Sequence, residues 1–215
     1  MTKLILIRHG QSLANAQDLF AGHSDFDLTD FGKEQAACTA AWLTAHESVN
    51  AIYASDLLRA YHTACPIGEA FGLSVTRDDK LREIYGGLWE SMPFSAIAEQ
   101  YAEAFDVWCN DYANARPVDG ESNIEVYRRV VPHICELAER HDGGCIVIAT
   151  HATVVRAFDA FAKGLSAEQM GQTSFCYNAA INLYAYENGK ASPIQTNIIE
   201  HLDGKTSALP PIISA

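Results

Sequence analysis

The stretch LILIRHGQS, residues 4–12, runs four apolar residues straight into an arginine, a histidine and a glycine. An unbroken apolar run of this length reads as a strand buried on both faces, as in a parallel sheet covered by helices. In open α/β sheets, ligands bind beyond the carboxyl ends of the strands. Arg8 and His9 stand at such an end. Residues 145–151, CIVIATH, repeat the form, an apolar run stopping on His151. Taken alone, either histidine reads equally well as a loop or core residue with satisfied nitrogens. If the two strands are neighbours, His9 and His151 emerge on one edge of the sheet.

The rest of the chain alternates strand and helix patterns. Strands are expected at 3–8, 51–55 (AIYAS), 73–77 (LSVTR) and 145–150. A closing pair, near 180–189 and 192–202, is joined through Asn188-Gly189. Helices are expected at 30–46 behind Thr29 or Asp30, at 56–72 with Gly72 as C-cap, at 122–141 and at 153–164. Pro66 predicts a kink or early break near Cys65. Residues 9–28 read as loop, and the tail beyond about 204 as loose. The fold class is therefore α/β: a three-layer sandwich, its mainly parallel sheet covered by helices on both faces. Residues 80–121 hold Gly86, Gly87, Pro93, Trp89 and Trp108, and read as a small helical lobe inserted in one domain spanning 1–215.

Composition excludes several function classes. The net charge is −12 at pH 7, so the surface repels nucleic-acid phosphates and anionic lipid, and neither is an expected partner. No run approaches the ~18 apolar residues of a membrane span. LILI is too short for a signal-peptide core, so a cytoplasmic location is expected. The cysteines at 38, 65, 109, 135, 145 and 176 form no C-x-x-C pair, which makes a zinc ribbon a poor reading and reduced core thiols the better one.

A third strand end adds a cation. Arg59 falls in the first turn of the helix after AIYAS, where the helix dipole favours anions. Pairing with Asp56 is one explanation. A bound anion shared by helix N–H groups and the guanidinium is the other. Arg8, His9, Arg59 and His151 together describe a phosphate pocket: guanidinium forks match oxyanion geometry, and imidazole adds a nucleophilic nitrogen.

These residues sit in recognisable blocks. LIRHGQSLAN resembles the signature of the histidine phosphatase superfamily, the phosphoglycerate-mutase-like family. GHSDFDLTDFGKEQA (22–36), YASDLLRAYHTA (53–64), LREIYGGLWES (81–91), DGES (119–122) and ATHATVVRA (149–157) resemble its further blocks, in family order. The resemblance implies that His9 is the nucleophile that becomes phosphohistidine. It makes Arg8 and Arg59 phosphate clamps, His151 a stabiliser of the transferring phosphoryl group, and Glu83 the proton donor to the leaving oxygen. Gln11, Asn15 and Ala152 match positions lining the pocket, Ala152 in place of the usual glycine. The helical lobe is implied to lie over the strand C-termini, and no metal is implied. Guanidiniums beside His9 favour its neutral, attacking form. Apolar Ile84, Tyr85, Leu88 and Trp89 are expected to shelter Glu83. Gly10 is expected to let the backbone turn close to the phosphate.

Departures from the pattern also include Ser91 for glycine, Asp27 for proline and Ala14 where mutase members often carry tryptophan. The implied activity is a metal-independent phosphatase acting on a small phosphorylated metabolite. A 2,3-bisphosphoglycerate-dependent phosphoglycerate mutase is the alternative, and only that reading brings in a cofactor. Residues 84–121 hold one basic residue, Arg116, against Glu90, Glu99, Glu103, Asp106, Asp111, Asp119 and Glu121, which suits a bisphosphate poorly. A catalytically dead phosphate-binding module would require a broken constellation, and none is broken. The aromatic residues Tyr85, Trp89, Phe94, Tyr101, Phe105 and Trp108 read either as the lobe's core or as a substrate-shaping wall. A homodimer stays open.

Overall fold

The computed structural model describes residues 1–207. Six strands, β1 (Thr2–Arg8), β2 (Ala51–Ser55), β3 (Val75–Asp78), β4 (Cys145–Thr150), β5 (Ile181–Glu187) and β6 (Lys190–Ile198), form one sheet in the order β3-β2-β4-β1-β5-β6. The first four run parallel, and β5 and β6 are antiparallel additions at the β1 side. Asn188 and Gly189, with φ of 52° and 75°, close the β5–β6 hairpin.

The apolar tetrad explains the layering. Side chains alternate across a strand, so Leu4 and Leu6 enter one core and Ile5 and Ile7 the other, all at 0% exposure. The first core is closed by α6 (Asn123–Arg140) and α7 (Ala152–Ala162), the second by α2 (Asp30–His46) and α3 (Leu58–Phe71). In β4, Ile146 and Ile148 join the first core while Val147 and Ala149 join the second. Each large apolar side chain so buried contributes about 1.5–3 kcal/mol.

Several boundaries differ from the sequence reading. The helix α3 runs through Pro66 without a break and ends at Gly72 with φ 65°. Ala60, Thr63, Ala64 and Ile67 bury one of its faces, and that packing outweighs the missing N–H. A four-residue helix, α1 (Leu13–Ala16), interrupts the expected 9–28 loop, held by a reciprocal cap between Ser12 and Asn15. The thiols are not uniformly core: Cys145 and Cys176 are buried, but Cys109 is exposed. Part of the tail is anchored, since Gln35 Nε2 donates to the Lys205 carbonyl at 2.7 Å and Ser207 is buried. The remainder of that tail, 208–215, lies outside the described residues.

Between β3 and α6 the chain forms short 3-10 turns, then α4 (Phe94–Gln100) and α5 (Ala102–Asn110). Trp89 fastens this segment to the sheet. It is fully buried in the same core as Leu4 and meets Phe20 and Trp108 edge-on, with ring centroids 5.6 and 5.7 Å away. Among the described residues, no helix is long and apolar enough to cross a membrane.

Candidate active site

Each parallel strand delivers one part of the site at its carboxyl end. β1 gives Arg8 and His9, and neighbouring β4 gives His151. The pairing of Arg8 with Thr150, and the bond from His9 N to the Thr150 carbonyl (2.9 Å), fix the two histidines side by side. Their rings meet edge-on at 5.2 Å. β2 leads into α3 and Arg59. β3 leads through the turn Asp79–Leu81 to Glu83.

The two arginines are buried cations without carboxylate partners among the described residues. Arg8 is 5% exposed; its Nη1 donates to the Cys176 carbonyl (2.6 Å), and its guanidinium lies over the Phe175 ring. Arg59 is 0% exposed and donates to the carbonyls of Gly22 (2.7 Å) and Ser24 (2.9 Å). Asp56 does not take it, being engaged by Arg82. Burial lowers the pKa of both guanidiniums, Arg59 to about 10, so both stay charged at neutral pH. Arg8 Nε, Arg59 Nε and both ring nitrogens of His151 are buried with no protein partner. Buried polar groups are almost always hydrogen-bonded, so these unused nitrogens are what an anion would satisfy.

His9 is set up to attack. Its Nδ1 lies 2.7 Å from the Gly10 carbonyl, which can only accept; this fixes the proton on Nδ1 and frees the lone pair of Nε2. Burial, then the charges of Arg59 and Arg8, push its pKa well below the usual histidine value. Burial, then the charges of Arg59, His9, His23 and Arg8, push that of His151 well below it too. Both rings are neutral at pH 7.

A cavity of about 490 Å³ opens above these groups and is lined by Arg8, His9, Asn15, Arg59, Glu83 and Ala152 among others. His151 lies behind the lining, against the His9 ring. Gln11 is not on it: its side-chain oxygen accepts from Thr29 Oγ1 at 2.9 Å, so its expected place at the mouth is not observed. Glu83 Oε1 accepts from Ile84 N (2.9 Å) and Oε2 from Thr153 N (3.4 Å). The expected apolar shelter is only half present. Ile84 and Trp89 are buried, but Tyr85 and Leu88 are 45% and 50% exposed, Leu88 from within the 3-10 turn Gly87–Trp89. The aromatic residues divide in the same way: Phe94 and Trp108 line the cavity, whereas Trp89 is core.

Gly10 has a packing reason of its own. A Cβ there would meet the Gly32 carbonyl oxygen at 2.5 Å, so glycine lets the β1 end press against α2. Ser91, by contrast, adopts φ 63°, a left-handed conformation in which glycine is more comfortable. Ala14 is fully buried in α1, and Asp27 pairs with His62 at 2.6 Å.

Sequence reasoning missed the supports. Asn178 Nδ2 donates to the His9 carbonyl (3.0 Å) and reaches Asn15 Oδ1 (3.2 Å). Ala179, at φ 58°, turns its N–H onto the carbonyls of Arg8 (3.0 Å) and His9 (3.1 Å). Glu90 accepts from the backbone N–H groups of His23, Ser24 and Gly86, each at 2.7 Å, and so holds the loop that holds Arg59. Arg129 of α6 donates to the carbonyls of Lys80, Arg82 and Glu83, fixing the approach to Glu83. Nothing in local spacing marks these residues; only the tertiary fold brings them to the site.

Comparison with known proteins agrees with this geometry. The model of the histidine phosphatase superfamily (branch 1) matches residues 4–199. Phosphoserine phosphatase 1 of Hydrogenobacter thermophilus is 33% identical over 202 residues, covering 94% of this chain and 95% of that protein. Glucosyl-3-phosphoglycerate phosphatase of Mycolicibacterium vanbaalenii is 34% identical over 170 residues, 76% of this chain and 75% of that one. Bacillus stearothermophilus YhfR superposes with a TM-score of 0.88 at 26% identity, over 94% of this chain and all of that one. By sequence, fold and matched length, the chain belongs to the histidine phosphatase superfamily.

Proposed function

We propose that the chain is a metal-independent phosphatase that hydrolyses a small phosphomonoester through a phosphohistidine on His9. The observation that carries this reading is the set of unpartnered buried nitrogens on Arg8, Arg59 and His151, gathered around a neutral His9 whose tautomer is fixed. The two guanidiniums and the His151 ring take the phosphoryl oxygens and neutralise the charge that spreads over them as the group transfers. His9 Nε2 forms a bond to phosphorus as the bond to the leaving oxygen breaks. Glu83 gives its proton to that oxygen, and the alcohol departs. Glu83 then takes a proton from water, whose oxygen attacks phosphorus and releases phosphate from His9. Holding the reactants in line supplies the remaining acceleration.

Electrostatics favours water as the acceptor. Arg116, the one basic residue within 84–121, bonds to the Gly120 carbonyl and to Glu125, away from the cavity lining. A mutase must grip a bisphosphate, and residues 84–121 direct no cation into the cavity, which holds one guanidinium, Arg156, beyond Arg8 and Arg59. The deciding experiment supplies 3-phosphoglycerate with and without 2,3-bisphosphoglycerate and follows both free phosphate and isomerisation. The proposal predicts phosphate release unaffected by the bisphosphate or by a chelator, from this ester or from another in a panel of phosphorylated metabolites. Isomerisation outrunning hydrolysis would move the chain to the mutase reading.

A further inference from the structure

The cavity wall holds a third guanidinium that the phosphate chemistry does not use. Arg156, in α7, lines the cavity and forms no ion pair among the described residues. Most lysines and arginines of this acidic chain sit in ion pairs, among them Lys3, Arg82, Arg129 and Lys163. Arg8, Arg59 and Arg156 line the cavity without an ion pair among the described residues, whereas the other unpaired cations, Arg77, Lys80 and Lys190, lie off it. Two of the three on the cavity surround His9. The third is spare.

Arg156 is held rigidly. Nε donates to Thr173 Oγ1 (3.1 Å) and Nη2 to the Thr173 carbonyl (3.0 Å), while the guanidinium plane lies 3.5 Å over the Tyr112 ring. Tyr112 is itself fixed, its hydroxyl 3.3 Å from Thr153 Oγ1. Among the described residues Nη1 alone has no protein acceptor. The acids that line the cavity contact other groups: Asp111 accepts from Asn114, Glu168 faces Arg128 at 4.0 Å, and Glu83 accepts from the Ile84 and Thr153 N–H groups. A preorganised cation with one free donor edge suits a single negative charge. A second phosphate dianion would need further cations, and the wall supplies none. Around it, Phe94, Trp108 and Phe175 leave room for a carbon skeleton.

We propose that Arg156 receives a carboxylate of the substrate, so that the preferred substrates are phosphomonoesters of hydroxy acids. The proposal rests on the phosphatase reading above and narrows it to one substrate class. Phosphoserine and phosphoethanolamine differ only by that carboxylate, which makes them the diagnostic pair. In the wild-type protein, kcat/KM for phosphoserine exceeds that for phosphoethanolamine by roughly 10- to 100-fold, the range of one hydrogen bond to a charged group. Arg156→Gln lowers that ratio at least tenfold, mainly by raising KM for phosphoserine. Arg156→Lys restores part of it.

A wild-type ratio near one overturns the proposal, whether or not the variants fold. So does an Arg156→Gln protein that loses both substrates equally, because that is the signature of a structural strut. Neither result touches the phosphohistidine reading, which p-nitrophenyl phosphate hydrolysis and its loss in His9→Ala test separately. A wild-type protein inert toward phosphoserine and phosphoethanolamine yet active on another ester of the panel overturns this proposal and leaves the phosphatase reading standing.

Discussion

Replacing Glu90 by glutamine tests whether the Arg59 clamp is built by the loop beneath it. Glu90 Oε1 accepts from His23 N and Gly86 N, and Oε2 accepts from Ser24 N and the Ser24 hydroxyl. Gly22, at φ 47°, allows this approach; a Cβ there would sit 2.0 Å from Oε1. The glutamine amide keeps the shape but turns one oxygen into a donor. In its better orientation the NH2 group faces Ser24, whose hydroxyl can rotate to accept but whose backbone N–H loses its charged acceptor and keeps only the Ala21 carbonyl (2.8 Å). Losing one hydrogen bond to a charged acceptor costs about 1.5–3 kcal/mol, and loss of the negative charge weakens the bonds that remain. The expected destabilisation is about 2–4 kcal/mol, a fall of roughly 1–2 M in urea midpoint.

The catalytic consequence follows because the Gly22 and Ser24 carbonyls are what orient Arg59. A loosened loop weakens the clamp, so kcat/KM on p-nitrophenyl phosphate is expected to drop by roughly 10- to 100-fold. Inhibition by inorganic phosphate weakens in parallel. Urea denaturation, steady-state kinetics and phosphate inhibition on the same preparation supply all three numbers. If Glu90→Gln is destabilised as stated yet keeps wild-type kcat/KM and phosphate inhibition, the loop does not position Arg59 and the reasoning fails.

Other consequences are simpler. The lowered pKa of His9 means that it stays neutral at pH 6.5 and loses its lone pair only on further acidification. The His9 limb of a kcat/KM–pH profile therefore lies below the ordinary histidine range, and NMR titration of the ring checks it; a midpoint at or above 6.5 contradicts the site electrostatics. Gly10→Ala drives a methyl group into the Gly32 carbonyl and is expected to cost about 1–3 kcal/mol in unfolding free energy with a fall in activity. Trp89→Ala leaves a cavity between the lid and the sheet and costs about 3–5 kcal/mol by denaturation. Trp89→Phe costs clearly less, since it keeps most of the packing and removes an indole N–H that has no partner.

Much of this was legible in the sequence because two local patterns carried it. The apolar runs ending in His9 and His151 announced a buried parallel sheet, and β1 beside β4 is what that pattern requires. Thr29 and Gly72 marked helix ends through chemistry contained within a few residues. What stayed hidden depends on distant contacts. Pro66 sits in an unbroken helix because sheet packing overrides a local penalty. Gln11 belongs to a family position, yet Thr29 captures its side chain. Tyr85 and Leu88 look apolar in sequence yet are exposed, Leu88 in a 3-10 turn that sequence periodicity does not reveal. Glu90, Arg129, Asn178 and Arg156 act on residues far away in the chain, and no spacing rule reports that.

The central claim is a covalent one: phosphorus is transferred to His9 before it reaches water. Mixing the protein with a ³²P-labelled substrate, quenching in alkali within a turnover and mapping the labelled peptide tests it directly. The account predicts an alkali-stable, acid-labile label on the peptide containing His9, absent in His9→Ala together with activity. Full hydrolytic activity in His9→Ala, or an active wild-type protein that never carries the label, would contradict it.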